Sequence, residues 1–133
     1  MVHWNNSYAY GKKQEEKVIP VLAEHFAKTV TPTKGRFAKY DCYDDDTDYE
    51  IKSRTNKKDA YPTTMITCNK FDGSLVRDVI LVFNLTDCLA YIKYDAEKFS
   101  TYTTSQFSRL GCCWDEKLHI YIPVEHLTVI RQW

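Results

Sequence analysis

A chain of 133 residues with 44% hydrophobic and 14% aromatic content can bury one core, which excludes disorder and leaves little room for a second, recognition domain. Eighteen basic residues balance 18 acidic ones, so no global field draws polyanions, and attraction to nucleic acid must come from a local basic patch. The expectation is a single domain spanning residues 1–133. Five cysteines, an odd number with no Cys-x-x-Cys pair, are expected to be reduced and mostly buried; a zinc set of Cys112, Cys113 and His119 has poor spacing. The opening "MVHWNNSYAYGKK" has neither an apolar core nor a cleavage pattern, and no apolar run approaches membrane-spanning length. A soluble intracellular protein with no membrane partner is therefore expected.

In chain order, Val18, Ile19, Leu22 and Phe26 recur at the spacing of one helical stripe between Gly11 and about Lys28, and Glu15 falls on the same stripe. Pro20 predicts a kink or a displaced first turn. The stretch "KGRFAKYDCYDDDTDYEIKSR" has two alternating runs joined by aspartates, the pattern of a β-hairpin. A turn centred between Asp45 and Asp46 sets Tyr43 opposite Asp48 and Asp41 opposite Glu50. Ala38, Tyr40, Cys42, Tyr49 and Ile51 then form one apolar face, and Asp41, Asp48, Glu50 and Lys52 the polar one. After the basic loop "KSRTNKKDAYPTT" a short helix is predicted around Asn69 to Val76, followed by "VILVF" (79–83) as a central strand covered on both faces. "LAYIKY" follows a Thr86-Asp87 turn as an edge or second strand, further strands are predicted near Thr101 to Phe107 and Leu118 to Ile122, and "VEHL" is a final turn or short helix. This order indicates a mixed α/β domain.

Chemistry concentrates on the hairpin. Two carboxylates opposed across it, Asp41 and Glu50, repel one another unless a cation lies between them. Magnesium suits such a pair, because it takes one or two carboxylates, keeps several waters and uses substrate phosphate for the rest of its shell. Lys52 lies two residues beyond Glu50 on the same face, and Glu15 adds a third acid if its helix packs on this sheet. Three acids, a lysine and a metal are the parts that phosphodiester hydrolysis needs. Lys52 is either a general base or, as we prefer, a charged group that positions the attacking water. Asp44 to Asp46 form a turn, while Asp48 shares the polar face and rivals Asp41 as first metal ligand.

Asp41, then "EIK" at 50–52 beginning nine positions later, preceded by a helix carrying "GKKQE", resembles the PD-(D/E)xK nuclease superfamily. Within it, the pattern is similar to archaeal Holliday-junction resolvases and to small nucleases of phages and large DNA viruses, the latter especially in "YEIKSR" followed by "YPTTM". The likeness covers roughly residues 11–84; Tyr40 stands where the family name has proline. It implies a restriction-endonuclease-like αβββαβ core, with a mixed central sheet flanked by helices. It further implies a magnesium-dependent endonuclease acting on DNA, in which manganese would substitute. Asp41 and Glu50 would bind the metal, the Ile51 carbonyl would complete its shell, Glu15 would assist, and Lys52 would be the catalytic lysine.

Four basic residues fall within "KSRTNKK" just past this site, and Ser53, Arg54, Lys57, Lys58, Tyr61 and Lys70 are the candidate nucleic-acid contacts. RNA is an open alternative to DNA. A homodimer would supply two sites for cutting both strands, and a viral origin would put the protein in the host cytoplasm or the virion. The rival expectation is a nuclease-like module that binds nucleic acid or protein without cutting.

Overall fold

A computed structural model describes residues 3–34, 39–68, 77–107 and 117–133. Helix α1 (His3–Phe26) begins eight residues before the expected Gly11 and continues through Pro20, with no break in the helix there. Loss of one backbone bond at proline costs about 3 kcal/mol. Tertiary packing offsets it, because Val18 and Leu22 are fully buried and Val21 nearly so, on both sides of the exposed Pro20. The helix ends on Ala27, whose φ of 53° is left-handed. The Lys28 N–H then donates to the Ala23 carbonyl (3.1 Å) and the Ala27 N–H to that of Glu24 (3.4 Å), so two of the terminal carbonyls are satisfied.

Strands β1 (Thr31–Pro32), β2 (Cys42–Tyr43), β3 (Thr47–Ser53), β5 (Asp78–Asn84), β6 (Cys88–Lys93) and β9 (Thr128–Gln132) form a six-stranded sheet in the order β1-β2-β3-β5-β6-β9. Strands β4 (Thr63–Thr67), β8 (Lys117–Pro123) and β7 (Thr104–Phe107) form a second sheet in that order. A four-residue helix α2 (Ala96–Phe99) lies between β6 and β7. The large sheet is mixed, since β3 and β5 run parallel and the other neighbours antiparallel. The fold is accordingly mixed α/β with few helices.

The hairpin has the register expected of a turn centred between Asp45 and Asp46, with Cys42 opposite Tyr49 and Tyr43 opposite Asp48. β5 occupies the centre, and its alternation divides the core. Ile80 and Val82 join Val18, Leu22, Cys42, Tyr49 and Ile51 on the α1 face. Val79, Leu81 and Phe83 join Ile66, Phe99, Ile120 and Ile122 on the other. Helices were expected to flank the sheet; among the described residues the second face is covered mainly by the three-stranded sheet.

Four expectations need correction. Tyr40 packs with the second cluster, not with Cys42 and Tyr49, because the chain bends over residues 39–41 and strand alternation does not extend past Cys42. β4 starts at Thr63, inside the stretch expected to be loop. The "LAYIKY" strand is interior, since β9 pairs along its outer side. β9 itself was not foreseen; its residues are largely exposed, so no apolar alternation marks it. The expected helix at 69–76, Ala38, Cys112 and Cys113 lie outside the described residues. Cys42 and Cys88 are buried and unpaired, as expected. No described helix is long and apolar enough to cross a membrane.

Candidate metal and phosphate site

The site forms where β2 stops short. Only Cys42 and Tyr43 of β2 pair with β3, so among the described residues the β3 edge beyond Tyr49 has no strand neighbour on that side. Asp41 takes its place. Its N–H donates to the Tyr49 carbonyl (2.9 Å), and its Oδ2 accepts from the Ile51 N–H (2.7 Å), so it straddles Glu50. In an extended strand a residue's N–H and C=O point the same way, so the Ile51 carbonyl faces this edge too.

Tyr49 and Ile51 point into the α1 cluster, which turns Glu50 and Lys52 to the other face. Glu50 is 4% exposed, and its Oε2 lies 3.1 Å from Lys52 Nζ. A buried carboxylate requires such a partner. α1 brings Glu15 to the same region. Its carboxyl is pushed above the ordinary glutamate range by burial and by the charges of Asp41 and Glu50, against the opposing effect of Lys12, 3.8 Å away. Burial, with Asp41, Glu15 and Glu50 nearby, raises the Cys42 thiol to about 12. Three carboxylates thus share one electrostatic neighbourhood, and Lys52 is paired to one of them, Glu50.

This donor set is all hard oxygen, without thiolate or imidazole, and suits magnesium or manganese better than zinc. Repulsion among the acids is what a divalent cation would relieve. The ligand atoms of Glu15, Asp41 and Glu50 do not, however, all lie within 4.8 Å of one another; among the described residues that closeness is met only by Asp44, Asp45 and Asp46.

The aspartate triplet has its own explanation. Asp44 Oδ1 accepts from the N–H groups of Asp46 (2.9 Å) and Thr47 (2.8 Å), and its Oδ2 accepts from the Tyr49 hydroxyl (2.6 Å). Burial pushes this carboxyl up, but the hydrogen bonds from Tyr49, Asp46 and Thr47 outweigh it and hold it below the ordinary range. Lys28 Nζ meets Asp45 (2.8 Å) and Asp46 (3.7 Å) at the surface. The triplet is a turn, as expected from its composition.

Asp48, the rival first ligand, is engaged elsewhere. Arg77 Nε donates to its Oδ1 (3.2 Å), and Arg77 Nη2 also caps the carbonyls of Asp44 (2.6 Å) and Thr47 (3.2 Å). No motif in the sequence marks Arg77. Its only local cue is that it immediately precedes β5, whose parallel pairing carries it to the hairpin turn.

The candidate nucleic-acid contacts separate. Ser53 Oγ accepts from Asn84 Nδ2 (3.2 Å). The Arg54 guanidinium donates to the Met65 carbonyl (2.6 Å) and lies 6.0 Å from the Phe83 ring centroid. Lys58 is mostly buried, its N–H bonded to Asp87 (3.0 Å) and its Nζ 3.6 Å from Asp59. Lys57 and Tyr61 are exposed, and Lys70 lies outside the described residues. The basic run is therefore not one continuous solvent-facing patch. Neither a protein-family model nor a curated protein nor a solved structure matches the chain.

Proposed function

We propose that this protein is a metal-dependent endodeoxyribonuclease with a PD-(D/E)xK core, directed more by DNA structure than by a long base sequence. The observation that carries the reading is the placement of Asp41 across Glu50 on the open β3 edge, with Glu15 sensing both charges and Lys52 paired to Glu50. In the αβββαβ scheme, α1 supplies the first helix and β2, β3 and β5 the sheet that carries the motif.

Asp41, Glu50, the Ile51 carbonyl and Glu15 would hold Mg²⁺, with Mn²⁺ able to substitute. A bound ion would supply Lewis-acid polarisation of a phosphate oxygen and a water of lowered pKa. The chain's own part is to position and neutralise. Lys52, beside the buried Glu50, orients the attacking water and offsets charge that develops on the phosphate. Asp41 holds the β3 edge in register, and Glu15 closes the site from α1. RNA as substrate, and a homodimer that places two sites on one duplex, belong to the same reading.

A second reading, a nuclease-like module that binds without cutting, draws on the Glu50–Lys52 ion pair and the incomplete convergence of the three acids. One assay separates the two. The protein is incubated with duplex, single-stranded and branched DNA and with RNA, in magnesium, manganese or chelator, beside Glu50→Ala and Lys52→Ala. We expect metal-dependent cleavage by wild type alone, with a loss of at least about 100-fold in both variants. Identical behaviour of all three proteins on every substrate refutes the nuclease reading.

A further inference from the structure

A second feature lies at the carboxyl ends of the parallel strands β3 and β5, the end of an open α/β sheet where ligands generally bind. There a cleft of about 230 Å³ opens between α1 and the end of the chain, lined in part by Tyr10, Gln14, Lys17, Arg54, Thr86 and Trp133. Its charged side chains are Lys17 and Arg54, and none of the described lining residues has an acidic side chain. The floor is Asn84, 3% exposed, whose Nδ2 donates to Gln14 Oε1 (2.8 Å) and Ser53 Oγ (3.2 Å) and whose Oδ1 accepts from Trp133 Nε1 (3.0 Å). That last bond fixes the indole, and Lys17 Nζ sits 3.8 Å from its ring centroid. Arg54 is fixed from the other side by the Met65 carbonyl and the Phe83 ring. One of the five guanidinium donors is spent there, and burial disfavours the charge that an incoming anion would favour.

Two cations held in place, and a Gln14 amide whose oxygen is already engaged by Asn84 so that its N–H groups are left to donate, make the cleft suited to an anion. Its volume is below the ~300 Å³ at which small-molecule pockets begin, which suits a phosphate with part of its sugar. Gln14 precedes Glu15 in α1, and Arg54 follows Lys52 by two residues, so the same helix and the same strand end supply side chains to both places.

We propose that this cleft is a phosphate-binding subsite, which takes a backbone phosphate of the DNA strand whose neighbouring phosphodiester lies at Glu50 and Lys52. The choice of DNA as the source rests on the nuclease reading; the preference for a phosphate rests on the cleft itself. The shared chemistry is a phosphate group, and free phosphate is the other source to separate.

The test follows the Trp133 indole N–H by nuclear magnetic resonance in chelator, where no cleavage intervenes, on titration with short duplex DNA and, separately, with inorganic phosphate. We expect DNA to shift the resonance. Lys17→Gln, at an exposed position, should weaken DNA binding by roughly five- to tenfold and lower the salt slope by about one, with Lys17→Arg restoring both. A shift with inorganic phosphate and none with DNA keeps the phosphate site and makes free phosphate its ligand. No shift with either, or unchanged binding and slope in a folded Lys17→Gln protein, overturns the proposal. If wild type cuts nothing in magnesium while the cleft still titrates, the nuclease reading fails and the subsite stands.

Discussion

Asp44 and Asp41 show how two aspartates three positions apart come to different work. Asp44 is 5% exposed and accepts three hydrogen bonds, from the Tyr49 hydroxyl and two backbone N–H groups, all within its own hairpin. Those donors would be left in the interior without an acceptor in Asp44→Ala, so we expect a loss of about 3 kcal/mol in urea unfolding at pH 7. The pH dependence follows from the depressed carboxyl. A group held below its unfolded value near 3.9 contributes stability above that pH and loses it as pH falls through the lower, folded value. The gap between wild type and Asp44→Asn should therefore hold steady above about pH 5 and narrow in acid below about pH 4. A gap that widens in acid would show that the charge is not what the three donors stabilise. Asp41 instead spends one oxygen on a single strand-edge N–H beside another acid, an arrangement that leaves charge uncompensated until a cation or Lys52 answers it.

At the scale of elements, α1 and the β3 edge illustrate which features a sequence carries openly. The apolar stripe of Val18 and Leu22 and the buried run of β5 are legible because each buries a periodic face, and the hairpin register follows because a slip of one residue would mix apolar and polar sides. β9 was illegible because, as an exposed edge strand, it has no periodic face to bury. The helix end is a further case. Ala27 occupies the left-handed position where glycine ordinarily sits, so nothing in "HFAKT" announces a stop. Its Cβ meets the following carbonyl at a cost of roughly 1 kcal/mol. Ala27 is exposed, and Ala27→Gly removes that strain without opening a cavity. The expected gain, net of glycine's extra freedom when unfolded, is about 0.5 kcal/mol, read as a higher urea midpoint with an unchanged slope. A loss of stability would mean that the Ala27 methyl packs usefully after all.

Across the whole molecule, the acids of the hairpin fall into two groups that metal binding should tell apart. Asp44, Asp45 and Asp46 bring three carboxylates within 4.8 Å, yet one is saturated by internal donors and the other two are exposed beside Lys28. Glu15, Asp41 and Glu50 are spread wider, but none is exposed, and burial together with the charges of Asp41 and Glu50 already raises the Glu15 carboxyl. The sequence pointed to the second group through register and helical spacing; it could not show that Arg77 withdraws Asp48 or that Trp133 meets Asn84, since both contacts depend on tertiary closure. A ligand that binds only the folded chain stabilises all of it by mass action, by about 2.7 kcal/mol at a hundredfold excess over its dissociation constant. Thermal unfolding in magnesium or manganese against chelator should accordingly show a midpoint that rises with metal concentration in wild type. Glu50→Ala should lose the rise. Asp44→Ala should start from a lower midpoint and keep the full increment, because its acid is not a ligand. Glu15→Gln should be more stable than wild type in chelator at neutral pH, since it removes a repelled charge, and should gain less from metal. The reverse pattern, with the increment lost in Asp44→Ala and kept in Glu50→Ala, would move the cation to the turn and take the metal out of the proposed active site.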